Sequence, residues 1–377
     1  MKRTESSRWL RSALVLVGLV MPVAGAASQP AATASACAVQ APWQVIVLNP
    51  TGSIESQSFG AEGTQQVGYA SEGSSRVAAL WSGSAEAWVK LAPAGASYSE
   101  AFAASEGAQV GRTRFPPDNL DRASLWSGTA ASWLDLTPAG AVSALAIGAG
   151  GGEQVGAVRF PGEFGTASLW RGSAASWVNL GSGINGSSIA RATNGLQQGG
   201  SVDFNGDAFA DRASLWSGTA ASRVDLHPAG SQQSYVSSVT DTYQAGAATF
   251  NDGLSNGWRA GLWTGSAASW LSLHPAQAQD SQVFDASGVT QAGYVRIDGL
   301  VRAALWSGSP ASWVDLHALA AGGFEQTVAR GIWTDGATVR VVGDGIPSGG
   351  GRLQALLWTR DLSAMFCNGF EQPPAAH

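Results

Sequence analysis

Arg122-Ala-Ser-Leu-Trp-Ser-Gly-Thr-Ala-Ala-Ser-Trp-Leu-Asp-Leu-Thr-Pro-Ala-Gly140 is one copy of a phrase that fills most of this chain. Its Leu-Trp pair, or a close variant, ends at Trp81, Trp126, Trp170, Trp216, Trp263, Trp306 and Trp358, at intervals of 45, 44, 46, 47, 43 and 52 residues. Periods of this size belong to solenoids and propellers. Each unit reads as four short apolar runs parted by Gly, Pro, Ser or Asn clusters, which are strand and turn signals. In the unit that starts at Trp133 the runs are Trp133-Leu-Asp-Leu136, residues 141–147, residues 154–160 and Thr166-Ala-Ser-Leu-Trp170. No helical period survives across the breaks.

Four strands per 40–50 residues point to the blades of a propeller, since a β-solenoid coil spends fewer residues. Leu125 and Trp126 are neighbours on a strand and so face opposite ways, which requires a sheet packed on both sides. The Ser-Gly-Thr-Ala-Ala-Ser connection is expected to pair Trp126 with Trp133 across a hairpin. On this reading the repeated Trp residues are core. The chain begins out of phase: Trp43-Gln-Val-Ile-Val-Leu48 has the pattern of an outermost strand, and the chain reaches Leu356-Leu-Trp358 just before such a strand is due. Units therefore start at Trp43, Trp88, Trp133, Trp177, Arg223, Trp270 and Trp313. The expectation is an all-β fold: a single seven-bladed β-propeller of four-stranded blades over residues 43–360, with the N-terminal strand closing the ring.

Outside the repeat, residues 1–26 read as a signal peptide. Lys2, Arg3, Arg8 and Arg11 precede an apolar run, and small residues around Ala24-Gly-Ala-Ala27 offer a cleavage site. A linker (27–42) and a C-terminal tail (361–377) complete the division. Loss of residues 1–26 leaves 17 basic against 26 acidic side chains, a balance of −9. So acidic a chain, with Lys2 and Lys90 its only lysines, suits neither nucleic acid nor insertion into an anionic membrane. The predicted location is the periplasm or exterior of a bacterium. In such a compartment Cys37 and Cys367 are expected to form a disulfide that locks the ring. Lipidation of Cys37 is the alternative, but the lipobox-like Ala34-Ser-Ala-Cys37 lies far from the apolar run and lacks its Leu.

The succession Gln154-Val-Gly156, Arg-Ala-x-Leu-Trp and Val-Asp-Leu resembles the HAF-type extracellular repeat of bacterial exported proteins. The likeness runs from residue 43 to 358, with Arg122, Arg212, Arg259 and Arg302 standing where that repeat has His. It implies a secreted, propeller-like chain and no general activity.

Several residues are candidates for a site. Asp203-Phe-Asn-Gly-Asp-Ala-Phe-Ala-Asp211 places Asp203, Asn205, Asp207 and Asp211, with the Phe209 carbonyl, in the ligand order of a calcium loop. It resembles the loop of integrin-type FG-GAP repeats, although Ala208 replaces their Gly and Ser214 stands where a bidentate Glu is expected. Calcium is the cofactor to test; none is required otherwise. His227, His274 and His317 sit at one repeat position and are expected to diverge on separate blades, which leaves zinc without a site. Asp135, Asp225 and Asp315 recur likewise, but Lys90, Asn179 and Ser272 replace them elsewhere. No nucleophile elbow, phosphate loop or His-Glu-x-x-His is present.

What varies is the segment before each Leu-Trp strand. Asp118, Asn119, Asp121, Glu163, Asn251, Asp252 and Trp258 mark that variable end, where loops on a rigid scaffold carry function. The expectation is a monomeric, noncatalytic binding or scaffold module for a glycan, envelope component or protein, and not an enzyme. A purely structural surface protein is one alternative. A polysaccharide lyase or hydrolase working at the ring's axial opening is the other.

Overall fold

The computed structural model describes residues 42–204, 211–251 and 257–362. Cys37, Cys367, the proposed signal peptide, residues 363–377 of the tail, Asn205, Asp207, Phe209 and Asp252 lie outside the described residues. Seven four-stranded antiparallel sheets form a ring. Their innermost strands are Ser56–Glu62, Tyr98–Ser105, Ser143–Gly150, Ser187–Thr193, Ser231–Val239, Asp280–Ser287 and Phe324–Thr334, which head blades 1 to 7. Among the described residues one short α-helix, His317–Ala320, accompanies the strands. The predicted closure is observed: Gln44–Val47 pairs with Gln354–Asp361 of blade 7, Val45 opposite Trp358 and Ile46 opposite Leu357.

Every Trp of the Leu-Trp phrase is fully buried. Each packs on the blade before its own, as when Trp126 meets Val67, Leu80 and Leu91. The expected Trp126–Trp133 cross-strand pair does not form. A 3-10 turn at Ala130–Ser132 shifts the hairpin so that Leu125 faces Leu134. Trp133 then donates its indole N–H to Ser124 Oγ at 2.9 Å and rests on Phe115. Blade 1, which has strand-paired Trp81 and Trp88, is the exception.

Inter-blade hydrogen bonds account for the repeated polar residues. Ser99, Ser188, Ser234, Ser281 and Thr327 each accept the N–H of an Ala in the preceding blade, at 2.8–3.2 Å. His227, His274 and His317 pair with the last three of these hydroxyls through Nδ1, so they are staples between strands and not metal ligands. Arg122, Arg212 and Arg302 reach Asp135, Asp225 and Asp315 at 3.5, 3.4 and 3.0 Å. These half-exposed pairs are worth at most about 1 kcal/mol each.

Each inner strand carries a β-bulge at the same place. The strand pairing skips Phe59, Phe102, Ile147, Arg191, Ser237, Phe284 and Arg330. A bulge re-aims one side chain and steepens the twist. The glycine of the repeated Val-Gly motif makes it possible. At Gly68, Gly111, Gly156, Gly200, Gly246, Gly293 and Gly343 a Cβ would fall 1.8–2.0 Å from an inner-strand carbonyl oxygen. Only a residue without Cβ lets the bulged strand approach so closely.

Candidate active site

All seven bulged side chains line one cavity of about 650 Å³ at the centre of the ring, within the usual size range of small-molecule sites. Successive inner strands touch at equivalent positions, as Gly60 does Phe102 and Ala103, so all seven run the same way. The lining comes from the bulges onward, for example residues 59–61, 102–104, 191–193 and 284–286, with Tyr235 added from blade 5. The cavity thus lies toward the end of the ring where the inner hairpins turn.

After each bulge the next residue is forced against the neighbouring blade. Gly60, Ala103, Gly148, Ala192, Ser238 and Gly331 are small for this reason; a Cβ on Gly148 would sit 2.4 Å from the Arg191 carbonyl oxygen. Blade 6 departs from the rule with Asp285. Its Oδ1 accepts from Ser238 Oγ of blade 5 at 3.0 Å and from the Ala286 N–H at 2.8 Å, while Oδ2 accepts from the Ile332 N–H of blade 7 at 2.9 Å. A carboxylate oxygen can take two partners, so Oδ2 can accept one more. Burial pushes the Asp285 carboxyl up to about 6, with the three hydrogen bonds opposing the shift. A group that titrates there can take or give a proton near neutral pH.

Two guanidinium groups share the cavity. Arg330 lies between the rings of Phe59 and Phe284, 5.8 Å from each, and its Nε is held by the buried Asp344 at 2.9 and 3.0 Å. Gln57 braces the same carboxylate. Arg191 lies 5.4 Å over the Tyr235 ring, and among the described residues no hydrogen bond or ion pair engages it; its Nε is buried. Tyr235 donates to Gln282 Oε1 at 2.6 Å, and burial raises its hydroxyl.

The variable-end residues lie elsewhere. Asp118 is exposed and pairs with Arg122; Asn119 accepts from Ser97; Asp121 anchors Arg112 and Arg114. Glu163 and Asn251 are exposed. None of them lines the cavity. Trp258 touches the lining, its ring 5.1 Å from that of Tyr235. Asp121 instead belongs to an ion-pair chain running Arg352–Glu55–Arg76–Glu100–Arg112–Asp121–Arg114 along blades 7, 1 and 2. Asp203 is buried and Asp211 half-buried at the flanks of the proposed calcium loop. Burial raises the Asp211 carboxyl, Arg191 opposes this and Asp203 adds to it. Among the described residues no cluster of three or more His, Cys, Asp or Glu could hold a metal ion.

No protein-family model matches the chain, and no curated protein matches it in sequence. Solved structures do match in shape. A puromycin-hydrolyzing peptidase from Mycobacterium tuberculosis aligns with a TM-score of 0.54 and 13% identity, over 88% of this chain and 56% of that one. The β-propeller domain of the Trilobed protease from Pyrococcus furiosus aligns at 0.53 and 8% identity, over 85% of this chain and 100% of the domain. An oligogalacturonate lyase from Vibrio parahaemolyticus aligns at 0.50 and 8% identity, over 85% of this chain and 97% of that one. The chain spans about half the length of the puromycin-hydrolyzing peptidase. These neighbours are enzymes or a domain of one, and they overturn the expectation of a noncatalytic module that is not an enzyme. At 8–13% identity the likeness is one of fold alone.

Proposed function

We propose that this chain is a polysaccharide-active enzyme whose site is the axial cavity and whose proton-transfer group is Asp285. One observation carries the reading: a carboxylate stands at the post-bulge position, where the fold calls for Gly, Ala or Ser. Phe59, Phe102 and Phe284 give the same cavity apolar faces suited to the C–H faces of a sugar ring. The basic, apolar and small-residue order of residues 1–26 supports export to where polysaccharides are met. The lyase named among the solved propellers also acts on a sugar acid polymer fragment. A peptidase reading lacks its parts here: Ser237 and Ser238 line the cavity, but no His does among the described residues.

The test is depolymerisation of a panel of neutral and acidic polysaccharides by wild type, Asp285→Asn and Glu163→Gln. Wild type is expected to shorten at least one polymer. Asp285→Asn should lose about 100-fold or more, the usual contribution of a positioned acid or base. Glu163→Gln, on the exposed variable end, should match wild type. Undiminished turnover by Asp285→Asn, or no turnover of any polymer by wild type, refutes the proposal.

A further inference from the structure

We infer that the substrate is a uronate-containing polysaccharide, cleaved by β-elimination, with Arg191 binding the carboxylate next to the carbon that loses its proton. This rests on the axial-cavity reading and adds the substrate's charge and the bond that breaks.

The charge comes from Arg191. Among the described residues no hydrogen bond or ion pair engages its half-buried guanidinium, and the Asp211 carboxyl acts on it only through space; a charged donor left in that state is costly. The fold does not require it, because Phe102 and Ile147 fill the same bulge position in other blades. Arg330 differs, since Asp344 already neutralises it. A planar guanidinium matches a carboxylate through two parallel hydrogen bonds, and the phenyl rings that line the same cavity suit the sugar to which it is attached.

The reaction type follows from a count of acids. Hydrolysis by paired carboxylates needs two of them about 5–10 Å apart. Among the described lining residues Asp285 is the one carboxylate. Elimination needs one base and a partner for the uronate carboxylate, whose neutralisation makes the adjacent C5–H acidic. Asp285 takes the C5 proton, the C–H electron pair becomes the C4=C5 double bond, and the C4–O bond breaks. The departing oxygen takes a proton from solvent, and Asp285 returns its own to solvent. No further reactant is consumed.

The experiment uses the full chain with polygalacturonate, alginate and hyaluronate, and with the same polymers after chemical reduction of their carboxyl groups. New chain ends are counted by reducing-sugar assay, and the conjugated double bond by ultraviolet absorbance. The expected result is ultraviolet-absorbing ends from at least one uronate polymer and none from its reduced form. Arg191→Gln should lower kcat/KM by about 100-fold, the scale of losing one electrostatic partner in a site, and Arg191→Lys should recover part of it. Neither variant should unfold in urea below the wild-type midpoint, so a folding defect would be visible. Reducing ends without the double bond would overturn elimination while leaving a polysaccharide enzyme in place. Equal cleavage of the reduced polymers, or an unaffected Arg191→Gln, would overturn the carboxylate site. Inertness toward every polymer would remove both readings.

Discussion

Ser238 and Asp285 hold equivalent positions in successive blades, and the Ser238 hydroxyl donates to Asp285 Oδ1 at 3.0 Å. The repeat has therefore placed two versions of one residue in contact, one of them as expected for packing and one not. The carboxylate is accommodated because the Ser238 hydroxyl and two backbone N–H groups solvate it in place of water. Its packing strand in blade 7 adds the charge of Arg330, and Arg191 of blade 4 lines the same cavity.

As the base, Asp285 must be ionised. With its carboxyl pushed up to about 6, kcat/KM is expected to rise with pH through that value and to level off above it. The residual activity of Asp285→Asn should lack this step. A rate that instead falls as pH rises through 6 would make Asp285 an acid and sink the assignment.

The same shift predicts a stability effect of definite sign. Between about pH 4 and 6 the folded chain holds a proton on Asp285 that the unfolded chain has released, so stability falls as pH rises across that window. The effect is at most about 3 kcal/mol, from about 1.4 kcal/mol per unit, and half-burial reduces it. His227 and His317, lowered by burial, act oppositely: their contribution is complete above 6.5 and is lost as pH falls below it. The difference in urea midpoint between Asp285→Asn and wild type isolates the carboxyl. It should move in the variant's favour from pH 4 to 6; a flat difference would show that Asp285 ionises in the fold as freely as in the unfolded chain.

The blade count and the closing strand were legible because both rest on bulky residues at fixed spacing, Leu-Trp for the blades and Trp43-Gln-Val-Ile-Val-Leu48 for the seam. The cavity was not. Its residues sit in segments such as Ser58-Phe-Gly-Ala61 and Val283-Phe-Asp-Ala286, in which the bulged position takes any residue and the next is small in every blade but the one with Asp285. Aligning those segments on the Val-Gly motif would have exposed Asp285 as the outlier, with Arg191 and Arg330 as the two charged bulge residues. The variable loops drew attention instead because they differ most, yet their acids mainly anchor arginines or face solvent. Repeated Asp135, Asp225 and Asp315 looked optional for a sound reason: Thr166 replaces the Arg of the pair and hydrogen-bonds to Asn179 at 2.7 Å in blade 3.

Closure by the N-terminal strand should be measurable in a single side chain. Leu48 is fully buried against blades 7 and 1, next to Ala79, Trp81, Val342 and Leu357, and its N–H donates to the Ala355 carbonyl oxygen at 2.8 Å. Leu48→Ala is expected to cost about 2–5 kcal/mol in urea unfolding. Val47→Ala, one residue earlier and 41% exposed, should cost less than about 1 kcal/mol, as surface changes usually do. Equal effects would mean that the seam carries no special burden.

The last prediction joins the fold to the site through Gly200. A Cβ there would lie 1.9 Å from the Ile189 carbonyl oxygen and 2.9 Å from the Ala190 Cα, so Gly200→Ala pushes the inner strand away just before the Arg191 bulge. Overpacking of this kind costs about 1–3 kcal/mol, and the bulge can relieve it only by flattening. Arg191 would then turn from the axis with no atom of its own changed. Gly200→Ala should therefore lower both the urea midpoint and kcat/KM on a uronate polymer. Gly152→Ala has open space around it and a positive φ of 75°; it should lower the midpoint by backbone strain alone and leave turnover by the folded fraction unchanged. If Gly200→Ala also kept full turnover, the bulge would not be what aims Arg191.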